Sequence, residues 1–220
     1  MKVKIVQNIL SLNDEVALAN QLLFQQKGIL VINIMASPGA GKTTFILNTL
    51  KRLPAQLKSA VIEGDIASSI DADKIKKEAR VEAFQINTGG GCHLDANMIS
   101  SACRHLVLEQ VDLLFIENVG NLVCPAAFKL GEGMRLVIAS VAEGDDKPIK
   151  YPQIFASADI VVISKTDLLP YINFNLASFK RVISGYNPKV VFFEVEATNG
   201  GGFDAWIEYL VERTLQIRSK

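Results

Sequence analysis

The sequence carries no excess charge of either sign: 23 Lys plus Arg balance 23 Asp plus Glu over 220 residues. Its isoelectric point is about 6.7. Without a basic surface, neither nucleic acid nor an anionic membrane is an expected partner, although a nucleotide polyanion can still bind locally. Cysteine is scarce. Three thiols, an odd number, do not make a disulfide framework and are left as core residues, reactive thiols or metal ligands. No apolar run approaches the length of a membrane span, and residues 1–8 mix lysines into a short apolar segment unlike a signal peptide, so a cytoplasmic protein is expected. No Pro/Ser-rich linker or charge block divides the chain. One domain spanning residues 1–220 is expected, with residues 1–27 as an N-terminal segment and helix packed on or beside it.

What is present is organised around residues 36–44, Ala-Ser-Pro-Gly-Ala-Gly-Lys-Thr-Thr. An apolar run, residues 28–35, precedes it and a helical pattern follows, which is the setting of a phosphate-binding loop. Gly39 and Gly41 let the backbone turn so that successive amide groups, that of Ala40 included, point inward, and the following helix adds its positive dipole end. Lys42 would reach the outer phosphates, and the Thr43 hydroxyl, with Thr44 beside it, would take one position on magnesium. Ala36 stands where the pattern has its first glycine, a change of one methyl group.

Along the chain, residues 16–26 read as a helix capped by Asn13, with Gly28 past its end. A second strand, residues 59–62, delivers Glu63-Gly64-Asp65 to a sheet edge where ligand chemistry collects, making Asp65 a magnesium ligand candidate. Asp71 and Asp73 lie in a polar segment, residues 66–73, able to order around a nucleotide. Asp73 reads better as a helix-start acid, and Asp71 stays open between the two. A third strand, residues 82–86, leads into three glycines followed by Cys92 and His93. Residues 94–109 have helical periodicity with Asp95 in the first turn; Cys103 and His105 there read as packing and surface residues. A strand at 111–117 ends in Glu117, with Gly120 three residues on, a spacing that lets the acid approach magnesium while the glycine amide senses the terminal phosphate. Further strands at 135–141, 159–163 and 190–195 follow. The second of these empties into Ser164-Lys165-Thr166-Asp167. Asp167 can accept two hydrogen bonds from guanine, which adenine does not offer, and so would select GTP. Lys165 would lie along the base and the Ala197 amide could bond the guanine carbonyl. Residues 203–218 close the chain as an amphipathic helix. Alternating strands and helices predict an α/β fold with a mostly parallel central sheet, that of a P-loop NTPase.

Four blocks, Val-Ile-Glu-Gly-Asp, Asn-Thr-Gly-Gly-Gly-Cys-His-Leu-Asp-Ala, Phe-Ile-Glu-Asn-Val-Gly-Asn-Leu-Val-Cys-Pro-Ala and Asp-Lys-Pro-Ile-Lys-Tyr-Pro, closely resemble the HypB family. These are GTPases that help insert nickel into [NiFe]-hydrogenase, and the resemblance runs from Val3 onward. It implies a magnesium-dependent GTP hydrolase forming a nucleotide-dependent homodimer. It also implies a nickel or zinc site at the subunit interface, built from Cys92, His93 and Cys124. The partners it implies are a nickel-carrying maturation protein and the hydrogenase large-subunit precursor. Residues 1–12 lack the Cys-rich motif or His-rich tract of some members, Ser164 replaces an asparagine of the guanine motif, and Glu196 replaces a serine. Urease accessory GTPases share the phosphate and guanine motifs but are not expected to carry the second and third blocks together.

Cys124 lies four residues beyond Gly120, a short path from a phosphate-sensing amide to a thiolate. Thiolate and imidazole suit nickel or zinc. The expected behaviour is that GTP binding orders the switches and promotes dimerisation, while hydrolysis releases metal. Lys42, Asp65, Asp71 and Glu117 are the candidates around the phosphoryl group, and Lys147 is a candidate cation supplied by a dimer partner. The competing readings are a P-loop kinase, which the guanine motif disfavours, and a GTP-dependent partner-binding switch with a structural zinc.

Overall fold

In the computed structural model the apolar runs become strands β1 (Leu30–Ala36), β2 (Ser59–Asp65), β3 (Glu82–Asn87), β4 (Leu113–Glu117), β5 (Met134–Ser140), β6 (Ile160–Ser164) and β7 (Val191–Val195). Residues 2–66, 70–79 and 81–218 are described, without the side chains of residues 2–9, 70, 71, 73 and 74. All neighbouring strands pair in parallel, in the order β3-β2-β4-β1-β5-β6-β7. Apart from Asn33, Glu117 and Ser164, the central strands β1, β4 and β6 are apolar, because both their faces are covered. Helices α1 (Lys2–Lys27), α2 (Lys42–Arg52), α3 (Ile70–Ala79), α4 (Ala96–Cys103), α5 (Cys124–Ala127), α6 (Lys147–Lys150), α7 (Pro152–Ala156), α8 (Leu176–Tyr186) and α9 (Phe203–Arg218) supply the covers.

Three apolar clusters divide that task. Side chains of β1, β2, β4, β5 and β6 meet α2 and α9 on one face, where Trp206 packs 5.4 Å from Phe45 and donates its indole N–H to Thr49 Oγ1 at 2.9 Å. On the other face α1 and α4 cover β1, β2 and β4, while α7 and α8 cover β5 and β6. No helix among the described residues is long and apolar enough to cross a membrane.

Several expectations need correction. Asn13 does not cap a helix, since α1 begins at Lys2 and runs through it. The Asn13 side chain instead donates to the Lys129 carbonyl and accepts from the Ala96 amide, so its polar group serves neighbouring segments and not its own helix. Asn20, on the same side, donates to the carbonyls of Ala96 and Leu130, which fixes α1 against the start of α4. The helix expected over residues 94–109 stops at Cys103: Arg104, His105 and Leu106 bond back three residues, and a 3-10 turn follows at Leu108–Gln110. Asp95 lies just outside that helix as its N-cap, accepting from the Met98 amide at 2.8 Å. The polar segment expected over residues 66–73 becomes helical from Ile70. Asp71 therefore sits in the first turn of α3, with its side chain outside the described residues.

Candidate functional site

Strand β1 ends at the fully buried Ala36, whose methyl belongs to the core cluster, so the missing glycine costs the loop nothing. Beyond it Gly39 has φ 75° and Gly41 φ 99°, left-handed values that a side chain rarely adopts. Gly41 is the residue at which the loop passes into α2, leaving Lys42 and Thr43 in the first turn with the helix amides free for an anion.

Two later segments brace this loop. Ser164, at the end of β6, donates its hydroxyl to the Ala40 carbonyl at 2.9 Å, so the serine in the guanine motif still supports the phosphate loop. Lys165 adopts a left-handed φ of 59° and its Nζ reaches the Gly39 carbonyl at 2.9 Å. Asp167 follows, half-buried in the 3-10 turn Thr166–Tyr171. The loop of Ala197, expected to meet the guanine carbonyl, is tied in by Asn48 of α2, which donates to the Ala197 carbonyl at 3.3 Å. A cavity of about 480 Å³ lined by Leu30, Asp159, Lys189 and Arg213 opens elsewhere and includes no residue of the phosphate loop.

Thr43 Oγ1 donates to Glu117 Oε1 at 2.9 Å, joining the first turn of α2 to the tip of β4. Glu117 pairs in register with Glu63 of β2, and both are 2% exposed. Residues in register share a face, and alternation puts Asp65 on that face too, one pleat nearer the strand tip. A hydroxyl and a row of carboxylates make an oxygen-only donor set that suits magnesium. Sequence reasoning passed over Glu63, although an acid inside an apolar run at the same parity as Asp65 was the available signal. Gly120 presses on the phosphate loop from the other side. A Cβ there would lie 3.0 Å from both the Cα and the N of Pro38.

Cys92, His93 and Cys124 converge, their ligand atoms all within 4.8 Å of one another. The Cys92 and Cys124 sulfurs are 2.9 Å apart and both cysteines are free; His93 Nδ1 lies 3.6 Å from Cys92 Sγ. The hydrogen bond to Cys124 raises the Cys92 pKa, with burial adding to it, and burial lowers that of His93 against the opposing charge of Asp95. The net downward shift favours the neutral imidazole, the form that binds metal. Its ring packs on Phe128, centroids 3.9 Å apart. Cys103 is apart from this group, buried in α4 with its thiol pushed up to about 11 by desolvation, and His105 is exposed and stacked on Phe84.

Lys147 opens α6, with its ammonium 3.7 Å from Glu143 Oε2, the oxygen that also accepts from Ser37 Oγ at 2.5 Å. It is thereby linked to its own chain's phosphate loop. Neither Ser37 nor Glu143 was singled out by motif, because their partnership spans 106 positions.

Residues 30–194 match the family described as CobW/HypB/UreG, nucleotide-binding domain. The chain is 46% identical to the hydrogenase maturation factor HypB of Rhizobium leguminosarum bv. viciae, over 99% of this chain and 73% of that protein. It is 41% identical to the hydrogenase/urease maturation factor HypB of Helicobacter pylori, over 96% and 88%. Among solved structures, HypB from Helicobacter pylori in complex with nickel superposes with a TM-score of 0.88 at 39% identity, covering 93% of this chain and 95% of that one. HypB from Archaeoglobus fulgidus gives 0.86 at 36% identity, covering 93% and 99%. With a braced phosphate loop, a guanine-type turn and a Cys-His-Cys cluster on one fold, and with relatives of this closeness, the chain belongs to the HypB family of CobW/HypB/UreG nucleotide-binding proteins.

Proposed function

We propose that this protein is a magnesium-dependent GTPase that delivers nickel during maturation of the [NiFe]-hydrogenase large subunit. The observation carrying this reading is the convergence of Cys92, His93 and Cys124 on segments that flank Gly120, the residue packed against the phosphate loop. Lys42 and the α2 amides hold the phosphates, Asp167 and the Ala197 amide read guanine, and Lys165 supports both base and loop. Thr43, Glu117 and Asp65 are the residues that would hold magnesium, with Glu63 behind them. The ion when bound neutralises charge on the transferring phosphoryl group. Water attacks in line; Asp65 and Asp71 are the candidates to orient it.

Nickel is the cargo of the Cys92, His93 and Cys124 site, and zinc is its competitor. Three protein ligands leave a position for water, a partner's ligand or a second copy of the chain. GTP binding orders the switches and favours a homodimer. Hydrolysis relaxes the site and releases metal toward the next maturation protein, and by linkage metal must then alter nucleotide affinity or dimerisation. The nickel-bound Helicobacter pylori relative supports nickel as the cargo, and its hydrogenase/urease name makes urease the alternative recipient.

The test is a titration of nickel and zinc under reducing conditions with GDP and with a non-hydrolysable GTP analogue, following affinity and oligomer mass together. Affinity and stoichiometry that change with nucleotide and are lost in Cys92→Ala and Cys124→Ala support the reading. Equal affinity in both nucleotide states, or binding that survives both substitutions, refutes the coupling.

A further inference from the structure

We propose that Asn118 is the joint between the nucleotide switch and the nickel site, with Asn121 as its outer latch; this rests on the nucleotide–metal coupling proposed above. Asn118 is 1% exposed and directly follows Glu117 at the end of β4. Its backbone amide continues the sheet by donating to the Ile34 carbonyl of β1, two residues before the phosphate loop begins. Its side-chain oxygen accepts from two amides, Leu94 at 3.1 Å and Val119 at 3.0 Å. One atom therefore holds the residue after His93 and the residue before Gly120. Its Nδ2 donates to Asn33 Oδ1 at 3.1 Å.

Asn121, one residue past Gly120, completes the arrangement. Its Nδ2 donates to the Cys92 carbonyl at 3.2 Å and its Oδ1 accepts from the Val123 amide, next to Cys124. The backbone on both sides of Gly120 is thus tied to the backbone on both sides of His93. Leu94 is fully buried against Gly64, where a Cβ would come within 2.7 Å of it, so little slack around its side chain absorbs a shift passed on from Asn118.

From Asn33 the network continues to the other half of the nickel site. Asn33 Nδ2 faces Glu132 Oε1 at 3.4 Å, and the same oxygen accepts from Arg135 Nε at 2.7 Å. The Arg135 guanidinium donates to the Ala126 and Phe128 carbonyls at 3.2 and 3.3 Å, holding the end of α5 and the ring that packs on His93. A shift at Gly120 displaces Cys92 and His93 through Asn118 and Asn121 relative to a Cys124 helix anchored by Arg135. Both asparagines tie the Cys92–His93 segment to the residues around Gly120, whereas the far end of the Cys124 helix is held by Arg135, and this difference in restraint makes the shape of the site depend on the nucleotide.

The experiment is nickel titration of the full chain in the GDP and GTP-analogue states at fixed oligomer mass, for wild type, Asn121→Ala and Asn118→Ala. The quantity read is the ratio of the two nickel affinities, expected to be about five-fold or more in wild type. Both variants are expected to bind nickel with a ratio near one. A purely structural role would lower both affinities together and leave the ratio unmoved, and a wild-type ratio in the folded variants overturns the proposal while the metal-delivery reading stands. If Asn118→Ala does not fold, the half-buried Asn121→Ala decides alone. A ratio of one in wild type overturns the inference together with the coupling on which it rests.

Discussion

Single side chains divide the thiols and glycines of this chain into working and supporting groups. Cys103 has its pKa raised to about 11 by burial, so it is protonated across pH 7–9 and shielded from reagents. Alkylation followed by mass spectrometry is expected to label Cys92 and Cys124 and spare Cys103, and Cys103→Ala is expected to keep the nickel stoichiometry. Gly120 is constrained differently: its neighbour at 3.0 Å is Pro38 backbone, which cannot rotate aside. Gly120→Ala is expected to cost about 1–3 kcal/mol of stability through overpacking and to weaken nucleotide-analogue binding. The loss should be larger for the GTP analogue than for GDP, because the terminal phosphate needs the closest approach; equal losses would separate Gly120 from phosphate sensing. Both residue types were evident as letters in the sequence. Which cysteine was the structural one followed from its helical context, whereas the reason for Gly120 lies in a loop 82 positions away, and no local pattern reports such a contact.

At the scale of elements, helices locate the site by gripping the sheet and each other. The α9 to α2 contact rests on Trp206, fully buried among Phe45, Phe193 and Tyr209 and bonded to Thr49. Since α2 carries Lys42 and Thr43, Trp206→Ala is expected to cost about 3–5 kcal/mol of stability and to lower the urea midpoint. The α1 to α4 contact is polar where α4 begins, at Ala96. Asn20→Ala removes the donor to two buried carbonyls and is expected to cost about 1–3 kcal/mol in the same measurement. The strands were legible in the sequence, because parallel strands covered on both faces are written as continuous apolar runs. Helix limits were less so. At α1 and α4 the deciding groups were Asn13 and Asp95, small polar residues that read alike in sequence; a tertiary partner made Asn13 a bridge, while Asp95 kept a local bond as a cap.

Over the whole molecule, the parallel sheet brings the loops after β1, β2, β3, β4 and β6 to one edge, so the residues proposed to hold phosphate, guanine and metal lie together. Lys147 stands at the rim of that edge, held by Glu143 beside Ser37 and the phosphate loop. Lys147→Ala is expected to slow GTP turnover several-fold with the thermal midpoint nearly unchanged, measured by phosphate release at concentrations above and below dimer formation. Unchanged turnover at both concentrations would remove Lys147 from the reaction. The sequence by itself determined the α/β class, the strand order along the chain, the phosphate loop and the three metal-type side chains, because each is carried by residues close in the chain or by a strong apolar pattern. Only the tertiary structure decided that Glu63 stands beside Glu117, that Ser164 and Lys165 brace the phosphate loop, and that Asn118 joins the segments carrying Gly120 and His93. Those facts depend on strand register and on hydrogen bonds between distant segments, and both are fixed only when the strands have found their neighbours.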